Sequence, residues 1–338
     1  MNANASIAGL LLAFALAGCV SPRGPGAVDR QTVQAHRLLA RGVTLACLFD
    51  RPDDTKWIEM RRADVFREMR RTGFTAARVP VDFSTAQRID DTDLLHPAWL
   101  ERIERVVRQA DRAGLAVVVV ARMPGDLTTP EAQARLVADW GRLAQHLCEA
   151  RECVYFELLD GPNGRLTDSA WSRLAEEIRL AIRESNPDRV LIVGPAQRYN
   201  PLHLAYLDLP PDPRLLFAFA YDEPAAFTHQ GDPTRRGSDA WLGTAWSGTP
   251  EDIRRVEGDL DRVTQWAREH NRKLLCADFG ATAKADPDSR VQWTFFVARA
   301  LEERDIGWCY KELTGETGVF DPEWRIWRQP MLGALLNK

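Results

Sequence analysis

Eight short apolar runs recur along this chain, at 43–48, 76–79, 116–120, 154–159, 190–193, 215–219, 274–277 and 307–310, and amphipathic segments separate them. Runs apolar on both faces belong to strands covered on both sides, the condition of a parallel sheet. The intervening segments carry helical periodicity. Trp99, Leu100, Ile103, Val106, Val107 and Ala110 mark one apolar face, and Trp171, Leu174, Ile178, Ala181 and Ile182 mark another. Asn186-Pro187 ends one helix, and Thr249-Pro250-Glu251 begins another. Eight strand–helix units in about 300 residues predict an α/β chain folded as a single (β/α)8 TIM barrel over 36–338. A doubly wound sheet is the alternative, but it has fewer strands and a Gly-rich first turn, which is absent here. The longest irregular stretch, 222–249, follows the sixth strand, and a loop of that length inside a compact domain is usually functional.

Composition narrows the function classes. The 338 residues include 44 Lys and Arg against 48 Asp and Glu, a net charge of −4 without a basic block. That balance excludes a nucleic-acid binder, which needs concentrated positive charge to neutralise phosphates. A hydrophobic fraction of 45% excludes disorder. Eleven Trp residues offer flat faces for sugar rings, although most such residues fill cores.

The first 18 residues carry no charge, and the apolar run from Ile7 to Ala17 is too short to span a bilayer. This reads as a secretory signal peptide over 1–18. Its end, Leu16-Ala17-Gly18-Cys19, resembles a lipobox, which implies lipidation at Cys19 and a bacterial cell-envelope protein held in a membrane by its lipid anchor. Val20 after the Cys lacks the Asp of an inner-membrane retention signal, which points to the outer membrane. Residues 19–35 then read as the lipidated Cys and a tether. Cys148 and Cys153 could pair in an oxidising compartment if their Cα atoms come close enough, whereas Cys47, Cys276 and Cys309 sit in apolar runs as buried thiols. No CxxC pair or His/Cys cluster suggests a metal, and no cofactor is implied.

Barrel chemistry sits where strands end. Those ends carry Asp50, Arg78, Arg122, Asp160-Gly161-Pro162-Asn163, Asp222-Glu223-Pro224, Asp278-Phe279-Gly280 and Lys311-Glu312. Acids and bases therefore gather on one face, which suits a polar ligand. Asp-Gly-Pro-Asn on its own is a turn signal, and lone carboxylates often cap helices.

Taken in order, a set of segments resembles glycoside hydrolase family 5, the cellulase-like retaining β-glycosidases, from about residue 41 to residue 336. The segments are Arg41-Gly42-Val43, Arg78-Val79-Pro80-Val81, 156–163, Ile182-Arg183, Asn186-Pro187, Phe227-Thr228-His229-Gln230-Gly231, Asp278-Phe279-Gly280, Gly307-Trp308-Cys309-Tyr310 and Gly318-Val319-Phe320-Asp321. The resemblance implies the barrel and a cleft for polysaccharide or oligosaccharide. It also exposes departures. The family's acid/base Glu in Asn-Glu-Pro falls at Gly161, and its nucleophile Glu in Glu-Phe-Gly falls at Asp278. The His after the third strand falls at Arg122, and the His-x-Tyr of the sixth falls at Ala220-Tyr221-Asp222. The sugar-stacking Trp falls at Lys311, and Arg78 is kept.

Retaining hydrolysis needs two carboxyl groups about 5–5.5 Å apart. Loss of the acid at Gly161 costs on the order of 10²–10⁴ in rate. Asp in place of Glu at 278 withdraws the carboxyl by roughly 1 Å, a displacement that costs about a hundredfold. The expectation is a barrel that binds glycan with lost or strongly impaired hydrolysis, through Arg78, Arg122, Asp222, Lys311, Glu312 and Trp308. One alternative is a rebuilt hydrolase in which Asp160 is the acid and Asp278 the nucleophile or base. A second is a non-catalytic scaffold for a protein partner in exopolysaccharide or envelope biology. His229 reads as ordering its loop, and Glu157 as a carboxyl pointing into the barrel, where it must be hydrogen-bonded. Trp241 and Trp246, in the long loop, suit either sugar stacking or packing.

Overall fold

The structure is a computed structural model and describes residues 28–46, 48, 64–84, 86, 94–122, 125–162 and 165–337. The expected leader, Cys19, Cys47, Asp50 and Asn163 lie outside the described residues.

Eight parallel strands close into a barrel: β1 (Arg41–Thr44), β2 (Ala76–Asp82), β3 (Ala116–Arg122), β4 (Val154–Glu157), β5 (Leu191–Val193), β6 (Leu215–Tyr221), β7 (Leu274–Phe279) and β8 (Gly307–Tyr310). β8 returns to β1 through the register Arg41↔Trp308 to Val43↔Tyr310, so the barrel sheet has no open edge. Every apolar run expected to be a strand contributes one. The single (β/α)8 barrel is therefore the fold.

Helices cover the outside. The faces expected at Trp99, Ile103, Val106, Val107 and Ala110 and at Trp171, Leu174, Ile178 and Ile182 are buried in helices Pro97–Arg112 and Asp168–Arg183. Helix Pro250–Glu269 starts in a capping box, with Thr249 and Asp252 bonded reciprocally. Several Trp residues tie helix to barrel. Trp140 Nε1 donates to the Leu158 carbonyl and Trp171 Nε1 to the Gly194 carbonyl, both at 2.8 Å. An indole buried in this way leaves no donor unsatisfied.

Two expectations are corrected. The tether does not run to residue 35, because Arg30–Leu38 is a helix that opens on an Asp29 cap. Ala35 and Leu39 at its end pack with Ala76, Ala116 and Tyr155 inside the bottom of the barrel, and Thr32 Oγ1 bonds the Pro213 carbonyl at 2.9 Å. The fifth unit, in turn, lacks a long helix. Between β5 and β6 stand a left-handed turn and the 3-10 segment Pro201–Tyr206, because Pro201, Pro210, Pro211 and Pro213 cannot sustain a helix interior. Cys148 and Cys153 are both free thiols, and the Cys153 thiol bonds Asp111 at 3.1 Å. Cys276 and Cys309 are buried.

Candidate active site at the barrel mouth

Side chains alternate across each strand, so position decides which residues see the barrel axis. Ala76, Ala116, Val118, Tyr155, Leu216, Ala218, Leu275 and Ala277 form the interior cluster, while their neighbours pack outward against helices. Arg78 continues the inward set of β2, and Glu157 that of β4. In β7 the alternation would turn residue 278 outward. A bulge prevents this. Cys276 pairs with Phe219, but the next β6 residue, Ala220, pairs with Asp278, so β7 carries one extra residue. The pairing with β8 slips over the same stretch. A one-residue slip reverses the facing of every later side chain, and here it brings Asp278 to the inner side.

Arg78 lies beneath the mouth. Its Nε and Nη2 donate to Glu157 at 2.8 and 2.7 Å, and Nη2 donates to Asp160 at 2.6 Å. Burial alone would depress the guanidinium, but Asp160 and Glu157 hold it well above its ordinary value. Burial pushes the Glu157 carboxyl up, with Arg78 pulling against it. Tyr199 seals the other side, its hydroxyl donating to the Leu159 carbonyl at 2.5 Å. Asp160 is the partner that reaches solvent, with its side chain 32% exposed.

Asp278 is the least satisfied carboxyl at the mouth. Its Oδ1 is shielded from solvent and has no hydrogen-bond partner. Burial pushes the carboxyl above its ordinary value, while Lys311 and Arg78 act in the opposite sense. Lys311 lies across Gly280, where an added Cβ would sit 2.3 Å from its Cδ. A side chain at 280 would force the Lys311 side chain to shift.

Asp222, after β6, belongs to a different constellation. It pairs with His229 Nε2 and, at 2.8 Å, with Arg235 Nη2, both from the long loop. Burial works against ionisation, yet His229 and Arg235 hold the carboxyl below its usual range. His229 also approaches Asp232 at 3.4 Å, so this imidazole knits the loop together.

Three expected ligand contacts are corrected. Trp308 faces outward and is fully buried, its Nε1 donating to Glu302 at 3.2 Å, because residue 308 falls on the helix-facing side of β8. Glu312 turns away into its own loop and accepts from the Thr317 amide and hydroxyl. Arg78 is 2% exposed and bonded to two carboxylates, so it braces the site from below. Arg122 ends β3, in register with Asp82, and is half-buried. Trp246 is buried against Phe296, whereas Trp241 stays half-buried on a groove of about 810 Å³. Among the described residues no cluster of three His, Cys, Asp or Glu forms a metal site.

The sequence reading missed the turn beside Gly161. Gln197, Arg198 and Tyr199 all have positive φ, at 57°, 61° and 61°, and no Gly or Asn marks them. The Arg198 amide donates to the Pro162 carbonyl at 2.8 Å, which locks this turn against the end of β4.

A parallel barrel with ionisable groups gathered at the carboxyl ends of its strands has the layout in which (β/α)8 proteins place their functional sites. The comparisons with known proteins give the family. The model of the cellulase family (glycosyl hydrolase family 5) matches residues 44–316, and the chain belongs to that family. Endoglucanase H of Acetivibrio thermocellus is 26% identical over 322 residues, covering 93% of this chain; the chain spans only 34% of that relative's length. Endoglucanase C of the same species is 27% identical over 306 residues, covering 78% of this chain and 86% of the relative. Among solved structures, Thermotoga maritima Cel5A in complex with cellobiose superposes with a TM-score of 0.84 at 29% identity, covering 90% of this chain and 100% of that one. The cellulose synthase subunit Z of Clostridioides difficile gives 0.81 at 27%, covering 88% and 99%.

Proposed function

We propose that this chain is a glycan-binding member of its family whose hydrolysis is lost or strongly impaired. One observation carries the reading. At the end of β4, Gly161 offers no side chain, and the neighbouring carboxylate, Asp160, is ion-paired with Arg78. Retaining hydrolysis needs an acid free to protonate the leaving oxygen and a second carboxyl about 5–5.5 Å away. A carboxylate held by a buried guanidinium is engaged in that contact and not free to meet the leaving oxygen. Relatives named endoglucanases, and one solved with cellobiose, support a β-linked glucan-type chain as the ligand class. The test pairs two measurements on the purified protein: turnover of aryl β-cellobioside and β-glucan, and calorimetric binding of cello-oligosaccharides. Binding without turnover is expected. Absence of binding across a broad glycan panel would favour a protein-partner scaffold.

A second reading has its own observation. The unpartnered Oδ1 of Asp278 and the upward shift of its carboxyl are features of a group kept for proton transfer. Were the Asp160–Asp278 pair wide enough to admit a water, it would invert rather than retain. Hydrolysis abolished by Asp278→Asn would establish it.

The Leu16-Ala17-Gly18-Cys19 leader supports an envelope location with a lipid on Cys19. Each buried methylene of such a lipid contributes about 0.8 kcal/mol. Release of Cys19→Ala into the soluble fraction, with wild type partitioning into detergent, is the expected result.

A further inference from the structure

We infer that the groove beside the mouth, between the β5 turn, the long loop and helix Pro250–Glu269, recognises the carboxylates of an acidic β-linked oligosaccharide. This rests on the glycan-binding reading and names the ligand class.

The charge balance of the groove comes first. Its walls bring five arginines, at 198, 235, 236, 255 and 262, against three carboxylates, at Asp222, Glu223 and Asp259. Two arginines are already matched, Arg235 with Asp222 and Arg262 with Asp259. Arg198, Arg236 and Arg255 are exposed and make no ion pair with any described residue. A chain of net charge −4 thus concentrates unmatched positive charge in one concavity. Such a cleft focuses its field and raises the local concentration of anions. Planar guanidinium groups match carboxylates through two parallel hydrogen bonds. Trp241, half-buried on the same wall, supplies a flat face for a sugar ring. Cations beside an aromatic plane suit a ring that bears a carboxylate better than a free anion.

The backbone adds an independent observation. Three consecutive side-chain-bearing residues, 197 to 199, sit in the left-handed region. This conformation is disfavoured for residues with a side chain, so it persists only where the surroundings enforce it. Here the Arg198 amide bonds Pro162 and the Tyr199 hydroxyl bonds Leu159, which hold the turn against β4. As a result the Arg198 Cα lies 3.5 Å from where a Cβ on Gly161 would be. The backbone of Arg198 therefore packs beside the position that carries no acid, and its side chain lines the groove that opens there. The turn places Arg198 where the groove meets the mouth, and a carboxylate-bearing sugar would engage it more strongly than a neutral one through a charge-assisted hydrogen bond.

The test uses the full chain and a matched pair of probes: cellotetraose, and the β-1,4-linked tetramer of glucuronate, which differs only by a carboxylate at each C6. Calorimetry at low salt is expected to show the glucuronate tetramer binding at least tenfold tighter, with the advantage shrinking as salt rises. The triple variant Arg198→Gln/Arg236→Gln/Arg255→Gln is expected to lose that advantage, so that the two tetramers bind it alike. Equal binding of the two tetramers overturns acidic recognition and leaves the glycan reading standing. No binding of either overturns the glycan reading itself. Glucuronate binding untouched in the triple variant overturns the groove as its site. A sulfated cellotetraose that binds as tightly as the glucuronate overturns carboxylate recognition in favour of general polyanion attraction.

Discussion

Arg78 and Glu157 reach toward each other inside the barrel from β2 and β4, joined by hydrogen bonds of 2.8 and 2.7 Å with side chains 3% and 0% exposed. Neither charge is tolerable there without the other. The pair forms a charged floor beneath the mouth, and Asp160 is attached to it from above.

The asymmetry of buried ion pairs makes this floor testable. Arg78→Met strands Glu157 and is expected to destabilise the barrel by about 3–5 kcal/mol in denaturant unfolding. Arg78→Met combined with Glu157→Leu is expected to recover most of that loss, since a well-packed apolar replacement of a buried pair is often close to neutral. A double variant as unstable as the single would show that the pair itself, rather than its stranding, sets the stability.

Gly161 gives a second prediction. Its φ is +56°, and an added Cβ would meet the Arg198 Cα at 3.5 Å, an ordinary contact. The obstacle to a side chain is therefore the backbone and not space. Gly161→Ala is expected to cost about 1–2 kcal/mol by the left-handed penalty, and Gly161→Asn less, since Asn visits that region more readily. Gly161→Glu should bear the same strain and recover no turnover. Thermal unfolding and an aryl-glycoside assay check both parts, and an Ala variant as stable as wild type would refute the backbone argument.

The barrel was legible because each strand is a short, largely apolar run and the helix faces repeat at helical spacing. The site was legible only as a set of strand ends. Trp308 illustrates the limit: as an aromatic near a strand end it reads as a sugar contact, but alternation along β8 turns it toward Glu302. Glu312 likewise reads as a mouth residue until its loop folds back onto Thr317. The bulge at Ala277-Asp278 leaves no trace in composition, yet it alone aims Asp278 inward. The left-handed turn at 197–199 carries no Gly to announce it and depends on bonds to distant Pro162 and Leu159. Register, bulges and strain are set by tertiary neighbours that a single sequence does not display.

Asp222 predicts an acid-sensitive loop. Its folded carboxyl lies below the ordinary value because His229 and Arg235 favour the charged form over the opposing effect of burial. A depressed carboxyl contributes stability that is present above the unfolded value of about 3.9 and is lost as pH falls through the folded value. Wild type is therefore expected to be more stable than Asp222→Asn near pH 7, with the difference vanishing in strong acid. Hydrogen exchange over 222–249 should rise in the same acid window. An Asn variant with unchanged stability at neutral pH would remove Asp222 from the loop's support.

Asp278 has the opposite sign. Its carboxyl is raised, chiefly by burial, with Lys311 and Arg78 only partly offsetting it. The folded state therefore binds this proton more tightly than the unfolded chain does. That contribution is fully present below the unfolded value of about 3.9 and is lost as pH rises through the folded value. At neutral pH the buried, unpartnered Oδ1 is a liability, and Asp278→Asn is expected to raise the melting temperature. The gain should shrink as pH falls and disappear where wild type is protonated in both states. Melting curves of the two proteins from pH 3 to 8 decide this, and activity measured on the same samples decides the chemistry. Stabilisation by Asn with no change in an already negligible turnover is the outcome expected of a binding barrel. A carboxylate retained for catalysis would instead show the usual exchange of stability for function, with Asn stabilising the fold while abolishing a measurable hydrolysis.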